Sequence, residues 1–236
     1  MIFGTPLPLK NQYKNCITIE DARHGIVTTL NNAKELLEDA TLLLNNERHP
    51  RAVALAILAI EEYGKIEKIK NLLISGQFVS KSWKEVRSHT SKNFMWQFPI
   101  IKALGINDEA TIRKLTSPTS DSAKFLDQLK QICFYTEAVH LDKSSKCIWW
   151  QPSVITDKEV AEFYLDLANT IVLDDGIQWT EKSLNIFVNH HFYENGEIFI
   201  KNQLNYYKEL VEMRCITKGR YQRILNNINQ INDSNK

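Results

Sequence analysis

Apolar residues recur every three or four positions over long stretches of the chain, the spacing of an amphipathic helix. The first such stripe is formed by Ala33, Leu36, Leu37, Ala40, Leu43 and Leu44. It predicts a helix over about residues 19–46. Thr18 with Asp21 offers an N-terminal cap, and His49-Pro50 ends the helix because proline disfavours helical backbone in the preceding residue.

The second predicted helix, from Pro50 to about Ser75-Gly76, differs because its first half is apolar on every face. Residues Ala52 to Ile60 contain no polar side chain, which is typical of a helix buried all round. A five-helix bundle covers few helices completely. We therefore expect a second copy of the chain to help, as a homodimer formed through helices two and three.

Further helical segments are predicted along the rest of the chain. A Ser82/Glu85 capping box opens a third helix that ends before Pro99 and carries Trp96. A fourth spans about 122–140, and a Thr156/Glu159 box opens a fifth that reaches about residue 173. Two more follow at about 179–193 and 197–230. The prediction is an all-α helical bundle over residues 18–175 with a C-terminal helical extension over 176–236.

Composition supports this architecture and narrows the function. The 236 residues include only 8 Gly and 6 Pro, few turn-forming residues for many short strands. The net charge is +1, so a nucleic-acid contact would need a local basic patch. No apolar run approaches the ~20 residues that span a bilayer, and no targeting segment is visible. The four cysteines lack CxxC spacing, so we expect reduced thiols and a cytoplasmic protein.

Glu61 and Glu62 directly follow the apolar run. Each lies one helical turn after a residue of that run, so at least one carboxylate should point into the interior or an interface. A buried charge is costly unless it is paired, and Lys65 is spaced to pair with Glu61. Two interpretations remain open: a salt bridge that closes the helix end, or a polar cluster that forms part of a site.

His89 and Lys92 form the second candidate group, because i,i+3 spacing places them on one face of the third predicted helix, with Glu85 beside them. Histidine can act as acid and base near neutral pH, and a neighbouring lysine can hold phosphate charge. Residues 65–92 contain seven Lys or Arg and two Glu, a net of +5. This stretch is either a basic binding face or an ordinary solvated helix surface.

Other chemistries find less support in the sequence. Glu137 and His140 have the Glu-x-x-His spacing of di-iron bundles, but such sites need two copies and only one is present. Phosphate-binding glycine loops, Gly-x-Ser-x-Gly elbows and His-Glu-x-x-His motifs are missing from the sequence. We therefore predict no metal and no cofactor.

Three blocks of sequence resemble one known family. The first runs from Ala33 to Ala40 and continues with Arg51-Ala52 and Ala59-Ile-Glu-Glu-Tyr-Gly-Lys65. The second is Ser88-His-Thr-Ser-Lys92. The third is Lys130 to Tyr135, followed by Trp150-Gln-Pro152. Over about residues 20–175 they resemble the abortive-infection protein V (AbiV) family, a branch of the HEPN superfamily, and the Glu-Glu-x-Gly-Lys block is the most specific part.

The resemblance implies a helical bundle, a homodimer with its site at the interface, and a role in bacterial defence against phage. Many HEPN proteins are metal-independent ribonucleases that use an Arg-x4–6-His motif. This sequence departs from that motif, because Arg87 and His89 are only two positions apart. The His89/Lys92 pair is our substitute for it, with Lys92 in the role of the arginine.

These observations give a set of site predictions. The catalytic candidates are His89, Lys92, Glu61, Glu62 and Lys65. The RNA-binding candidates are Lys84, Arg87, Lys130 and Tyr135. The predicted function is a ribonuclease toxin that halts host growth or translation, with RNA as substrate and a phage-encoded trigger as a further partner. The alternative is a non-catalytic RNA- or protein-binding module, and a third interpretation makes the polar cluster purely structural.

Overall fold

The structure is a computed structural model that describes residues 12–93, 97, 101, 105–106, 108–117, 119–140, 147–154, 156–173, 176–194 and 197–234. Within these residues the chain is mostly α-helical, which confirms the predicted all-α class. None of the helices in these ranges combines the length and the hydropathy needed to cross a bilayer. Two short β-hairpins are the main departure from the prediction.

Helices α1 (Ile19–Asn45) and α2 (His49–Ile74) form a long helical hairpin at the centre of the fold. The predicted start of α1 is confirmed. The Asp21 amide donates to the Thr18 hydroxyl over 3.1 Å, and the Thr18 amide donates to the Asp21 carboxylate over 2.9 Å. Pro50 occupies the first turn of α2, where its missing amide hydrogen costs nothing.

The apolar half of α2 is buried by the chain itself. Seven of its residues are fully inaccessible: Ala52, Val53, Ala54, Ala56, Ile57, Ala59 and Ile60. They pack against α1, α6 (Asp121–Phe134) and α7 (Lys158–Leu173). One protomer therefore buries most of this run without a second copy, and Leu55 and Leu58 stay partly exposed. The homodimer stays a prediction, but the burial of α2 no longer argues for it.

The predicted third helix is divided in two, as α3 (Val79–Arg87) and α4 (His89–Lys92). Ser82 lies inside α3 and caps nothing, so that prediction was wrong. Ser88 has extended backbone (φ −75°, ψ 128°) and ends α3, and its hydroxyl then accepts from the Ser91 amide to start α4. Trp96 and the predicted end before Pro99 lie outside the described residues. Helix α5 (Glu109–Leu115) follows.

The predicted fourth helix also ends early, at Phe134. Strand β1 (Glu137–His140) follows and pairs antiparallel with β2 (Cys147–Trp150). A β-branched residue at 139 and the aromatic pair at 149–150 favour strand over helix. Because successive side chains of a strand alternate between its two faces, a strand over 137–140 does not keep the spacing of a helical Glu-x-x-His motif.

The last part of the bundle starts one residue later than predicted. The Asp157 carboxylate, not Thr156, caps α7 by accepting from the Val160 amide over 2.9 Å. The extension then contains α8 (Glu181–His190), β3 (His191–Glu194), β4 (Glu197–Ile200), α9 (Gln203–Glu212) and α10 (Lys218–Ser234). The two helices predicted there are thus interrupted by the β3–β4 hairpin and by a turn after Glu212.

The extension packs on the α1–α2 hairpin. Leu184 of α8 is fully buried against Ala22 and Ile26 of α1 and Ile66 of α2. Lys70 of α2 is also buried, and its ammonium lies 4.8 Å from the centre of the Phe187 ring. These contacts attach α8 to the side of α2.

Candidate functional site

Glu61 lies at the centre of the candidate site, near the middle of α2. It follows Ile57 by one helical turn and is 2% exposed, so it points inward as the sequence predicted. Its Oε1 accepts from the Lys130 ammonium over 2.6 Å, and its Oε2 lies 2.7 Å from Nδ1 of His89. Three elements, α2, α4 and α6, therefore meet at one carboxylate.

Lys130 is the cation that balances this buried carboxylate. Its side chain is 4% exposed, and its ammonium also donates to Asp127 Oδ1 over 2.7 Å. Buried ions are tolerated when they are paired and hydrogen-bonded, and removing one partner leaves the other uncompensated. Lys130 therefore serves inside the protein, whereas the sequence placed it among the RNA contacts.

His89 is the member of the cluster that solvent reaches, with its side chain 56% exposed. Its Nδ1 is 2.7 Å from Glu61 Oε2 and 3.4 Å from the Lys130 ammonium. A single ring nitrogen cannot donate to the first and accept from the second. The shorter contact decides: Nδ1 carries the hydrogen and donates to Glu61, which leaves Nε2 as the ring nitrogen that can exchange a proton.

The same cluster contains donor atoms suited to a metal ion. Ligand atoms of Glu61, His89 and Asp127 lie within 4.8 Å of one another. The Lys130 ammonium, however, contacts both carboxylates and approaches the imidazole. It occupies the position between the three groups, so a metal ion there would have to displace it.

Gly64 explains how α4 reaches Glu61. A Cβ atom at position 64 would lie 2.1 Å from the backbone carbonyl oxygen of Lys92, far inside contact distance. Only glycine lets the α4 backbone rest directly on α2, and this close approach places His89 over Glu61. The glycine of the Glu-Glu-x-Gly-Lys block thus has a steric role that the sequence pattern did not reveal.

Lys92 is buried at 6% exposure, whereas the sequence placed it beside His89 on an exposed helix face. Burial lowers the pKa of its ammonium, and the negative charge of Glu61 opposes that shift in part. No carboxylate among the described residues forms an ion pair with it. In this conformation Lys92 does not present its charge to solvent.

Glu62 and Lys65 form a separate pair. The Lys65 ammonium donates to both carboxylate oxygens of Glu62, over 2.6 and 2.7 Å. The predicted Glu61–Lys65 pair was therefore wrong. Adjacent helical residues point about 100° apart, so Glu61 reaches α6 while Glu62 faces a cavity beside α1 and α3.

The remaining RNA-binding candidates do not share one environment. Lys84 is exposed on α3, and Tyr135 is 62% exposed after α6. Arg87 donates to the Tyr13 carbonyl over 2.6 Å and lies over the Trp83 ring, so it holds the segment before α1. The predicted basic face is also partly internal, because Lys70 and Lys92 are both buried.

Sequence reasoning missed the role of Lys130 and the participation of Asp127. Lys130 and Glu61 are 69 positions apart, and no helical or strand period connects them. Glu85, expected beside His89, instead pairs with Lys68 over 3.4 Å. Only the packing of α6 against α2 brings the cluster together.

Comparison with known protein families gives a match over most of the chain. The model of the HEPN AbiV family matches residues 21–173. No curated protein and no solved structure matches the chain. The matched range runs from the first turn of α1 to the end of α7, and it includes Glu61, His89, Asp127 and Lys130.

Proposed function

Because the chain belongs to the AbiV family of HEPN proteins, we propose that it acts in abortive infection as a metal-independent ribonuclease that halts growth of the infected host. The observation that supports this activity is the half-exposed His89 imidazole, held through Nδ1 by the buried Glu61 carboxylate. An imidazole with one nitrogen fixed by a carboxylate and the other open is suited to acid–base catalysis.

The reaction follows from this arrangement. Nε2 of His89 takes the proton of a ribose 2′-hydroxyl, and the 2′-oxygen attacks the adjacent phosphorus. The bond from phosphorus to the 5′-oxygen breaks, and the imidazolium returns its proton to that oxygen. The products are a 2′,3′-cyclic phosphate and a 5′-hydroxyl. Glu61 stabilises the imidazolium that forms between these two steps.

The cations have different roles in this proposal. Lys130 pairs with Glu61 and orients its carboxylate, so it is a positioning residue. The negative charge that develops on the phosphate needs exposed donors. Lys84 is exposed on α3, and a homodimer would add donors from a second copy of the site. A phage-encoded trigger would then act by releasing this activity during infection.

A non-catalytic binding module is the second candidate. It is favoured by the burial of Lys92 and the engagement of Arg87, because both leave fewer exposed cations to stabilise a transition state. In this alternative the cluster docks RNA or a protein, and the protein blocks growth by sequestration.

Cleavage of RNA by the purified protein in EDTA distinguishes the two. The ribonuclease should cleave, and His89→Ala should lose about 10²–10⁴ in rate, the usual contribution of acid–base catalysis. His49→Ala is the matched control, because His49 is a partly exposed histidine at the first position of α2, twelve positions before Glu61. The same variants expressed in cells should show loss of toxicity for His89→Ala only.

Two outcomes would decide against the ribonuclease. A folded His89→Ala protein that remains as toxic and as active as the parent eliminates His89 as the acid and base. A parent protein that cleaves no RNA, combined with a His89→Ala variant that loses affinity in step with toxicity, favours the binding module.

A further inference from the structure

A cavity of about 550 Å³ lies beside α2, between α1, α2 and α3. Its lining is mostly apolar and includes Ile17, Ile69, Leu72 and Val86. Pockets of this size, apolar with a few placed polar groups, are typical of small-molecule sites.

One wall of the cavity is a strap formed by residues 12–18. The Trp83 indole donates to the Asn15 carbonyl over 3.0 Å, and Arg87 donates to the Tyr13 carbonyl over 2.6 Å. Tyr13 also meets Trp83 edge-on, with ring centres 5.9 Å apart. These contacts fix the strap across α3 and place two aromatic rings in the lining.

Among the polar residues of the lining, Lys65 and Glu62 place a donor next to an acceptor. Lys65 uses two ammonium hydrogens on Glu62 and keeps a third, and each Glu62 oxygen keeps a lone pair. Both side chains are partly open, at 24% and 17% exposure. A planar molecule with an acceptor atom next to a donor atom matches this pair. The edge of a heterocycle that carries a ring nitrogen beside an exocyclic amine has this arrangement.

The charge of the lining limits the ligand further. Asp21 and Glu62 contribute two carboxylates to the lining and Lys65 contributes one ammonium. The hydrogen bonds from Thr18 keep the pKa of Asp21 low, so this carboxylate is ionised at neutral pH. An anionic group such as phosphate is therefore disfavoured.

We propose that this cavity binds an uncharged planar heterocycle of the nucleobase type, with Lys65 donating to a ring nitrogen and Glu62 accepting from an exocyclic amine. The aromatic and aliphatic walls cover the faces of the ring. The assignment gives Glu62 and Lys65 a binding role separate from the His89 cluster, and it does not depend on ribonuclease activity.

Calorimetric titration of the whole protein with adenine tests the assignment. We expect a dissociation constant on the order of 0.1 mM, reasonable for a ligand of about ten heavy atoms. Lys65→Met and Glu62→Gln should each weaken binding about tenfold or more, because each removes a charged partner of the ring edge. Lys65→Arg keeps a donor and should retain part of the affinity. Glu38→Gln, an exposed glutamate of α1 outside the cavity, should change nothing.

Indole and adenosine monophosphate serve as comparison ligands. Indole fills an apolar cavity without the donor and acceptor edge, and it should bind more weakly than adenine. The monophosphate adds an anion, and it should also bind more weakly. The proposal is overturned if adenine gives no heat at millimolar concentration, if its affinity is unchanged in both the Lys65 and Glu62 variants, or if either comparison ligand binds more tightly than adenine.

Discussion

Replacing Gly64 by alanine tests whether the close packing of α4 on α2 holds the site together. In the interior of an ordinary helix this change stabilises by up to about 1 kcal/mol, because alanine is the better helix former. Here the added Cβ would lie 2.1 Å from the Lys92 carbonyl oxygen, and the carbonyl carbon and Cα of Lys92 are also close, at 3.0 and 3.3 Å. All three are backbone atoms, which no side-chain rotation can move.

The size of the effect follows from these distances. An ordinary contact begins near 3.4 Å, so α4 must retreat by 3.4 minus 2.1, or about 1.3 Å. Such overpacking typically costs about 1–3 kcal/mol. If the retreat reaches His89, its 2.7 Å contact with Glu61 lengthens to about 4.0 Å, beyond hydrogen-bond distance. Gly64→Ala should therefore lose stability and site geometry together.

Gly25→Ala provides the matched control. Gly25 lies in α1, and a Cβ there would meet only the flexible end of Ile69 at 3.6 Å, an ordinary contact. This variant should gain stability from helix propensity. We expect the two variants to differ by about 1–3 kcal/mol, a Tm difference of roughly 2–12 °C for a chain of this size. Urea unfolding measures the free-energy difference between the two variants, and thermal unfolding measures the Tm difference. A Gly64→Ala protein as stable as Gly25→Ala would refute the packing argument.

Two further predictions concern ionisable groups. Lys130→Ala leaves the buried Glu61 carboxylate without its main counter-ion, and it should lower the free energy of unfolding in urea by about 3–5 kcal/mol. The Glu61→Gln/Lys130→Ala double variant should recover part of this loss. If the losses of the two single variants simply add in the double variant, the pairing is contradicted. Burial lowers the pKa of His191 to about 4 from an ordinary 6.5, so the unfolded chain binds the extra proton as pH falls from 6.5 to 4, and His191 should cost stability in that window. The stability that His191 costs across this window is at most about 3 kcal/mol. His191→Asn keeps a donor for the Phe187 carbonyl and should flatten this pH dependence, and an unchanged slope would show that another group causes it.

The cluster around Glu61 was only partly visible in the sequence. The apolar run before Glu61 correctly predicted an inward carboxylate, because residues one helical turn apart share a face. Its partners were wrongly predicted, because Lys65 is the obvious i,i+4 neighbour whereas the actual cation, Lys130, lies on another helix. A local pattern cannot decide between two lysines when a distant helix supplies one of them.

The segments that changed from helix to strand or turn show a similar limit. Residues 137–140 continue the helical pattern of α6, yet they pair with residues 147–150. Ser88 interrupts the predicted third helix, and that interruption turns α4 toward α2. A hydrophobic period does not show whether tertiary contacts favour continuing a helix or breaking it.

The sequence by itself determined the helical class, the α1 cap and the burial of most of residues 52–60, because these depend on spacing and side-chain type along one continuous segment. The tertiary structure decided the site. It placed Lys130 between Glu61 and Asp127 and packed α4 against Gly64. It also buried Lys92, and it directed Glu62 and Lys65 into the cavity between α1, α2 and α3. The physical reason is that a buried charge is stabilised by whichever opposite charge the packing brings within about 3 Å, and that partner is chosen by the arrangement of helices in space.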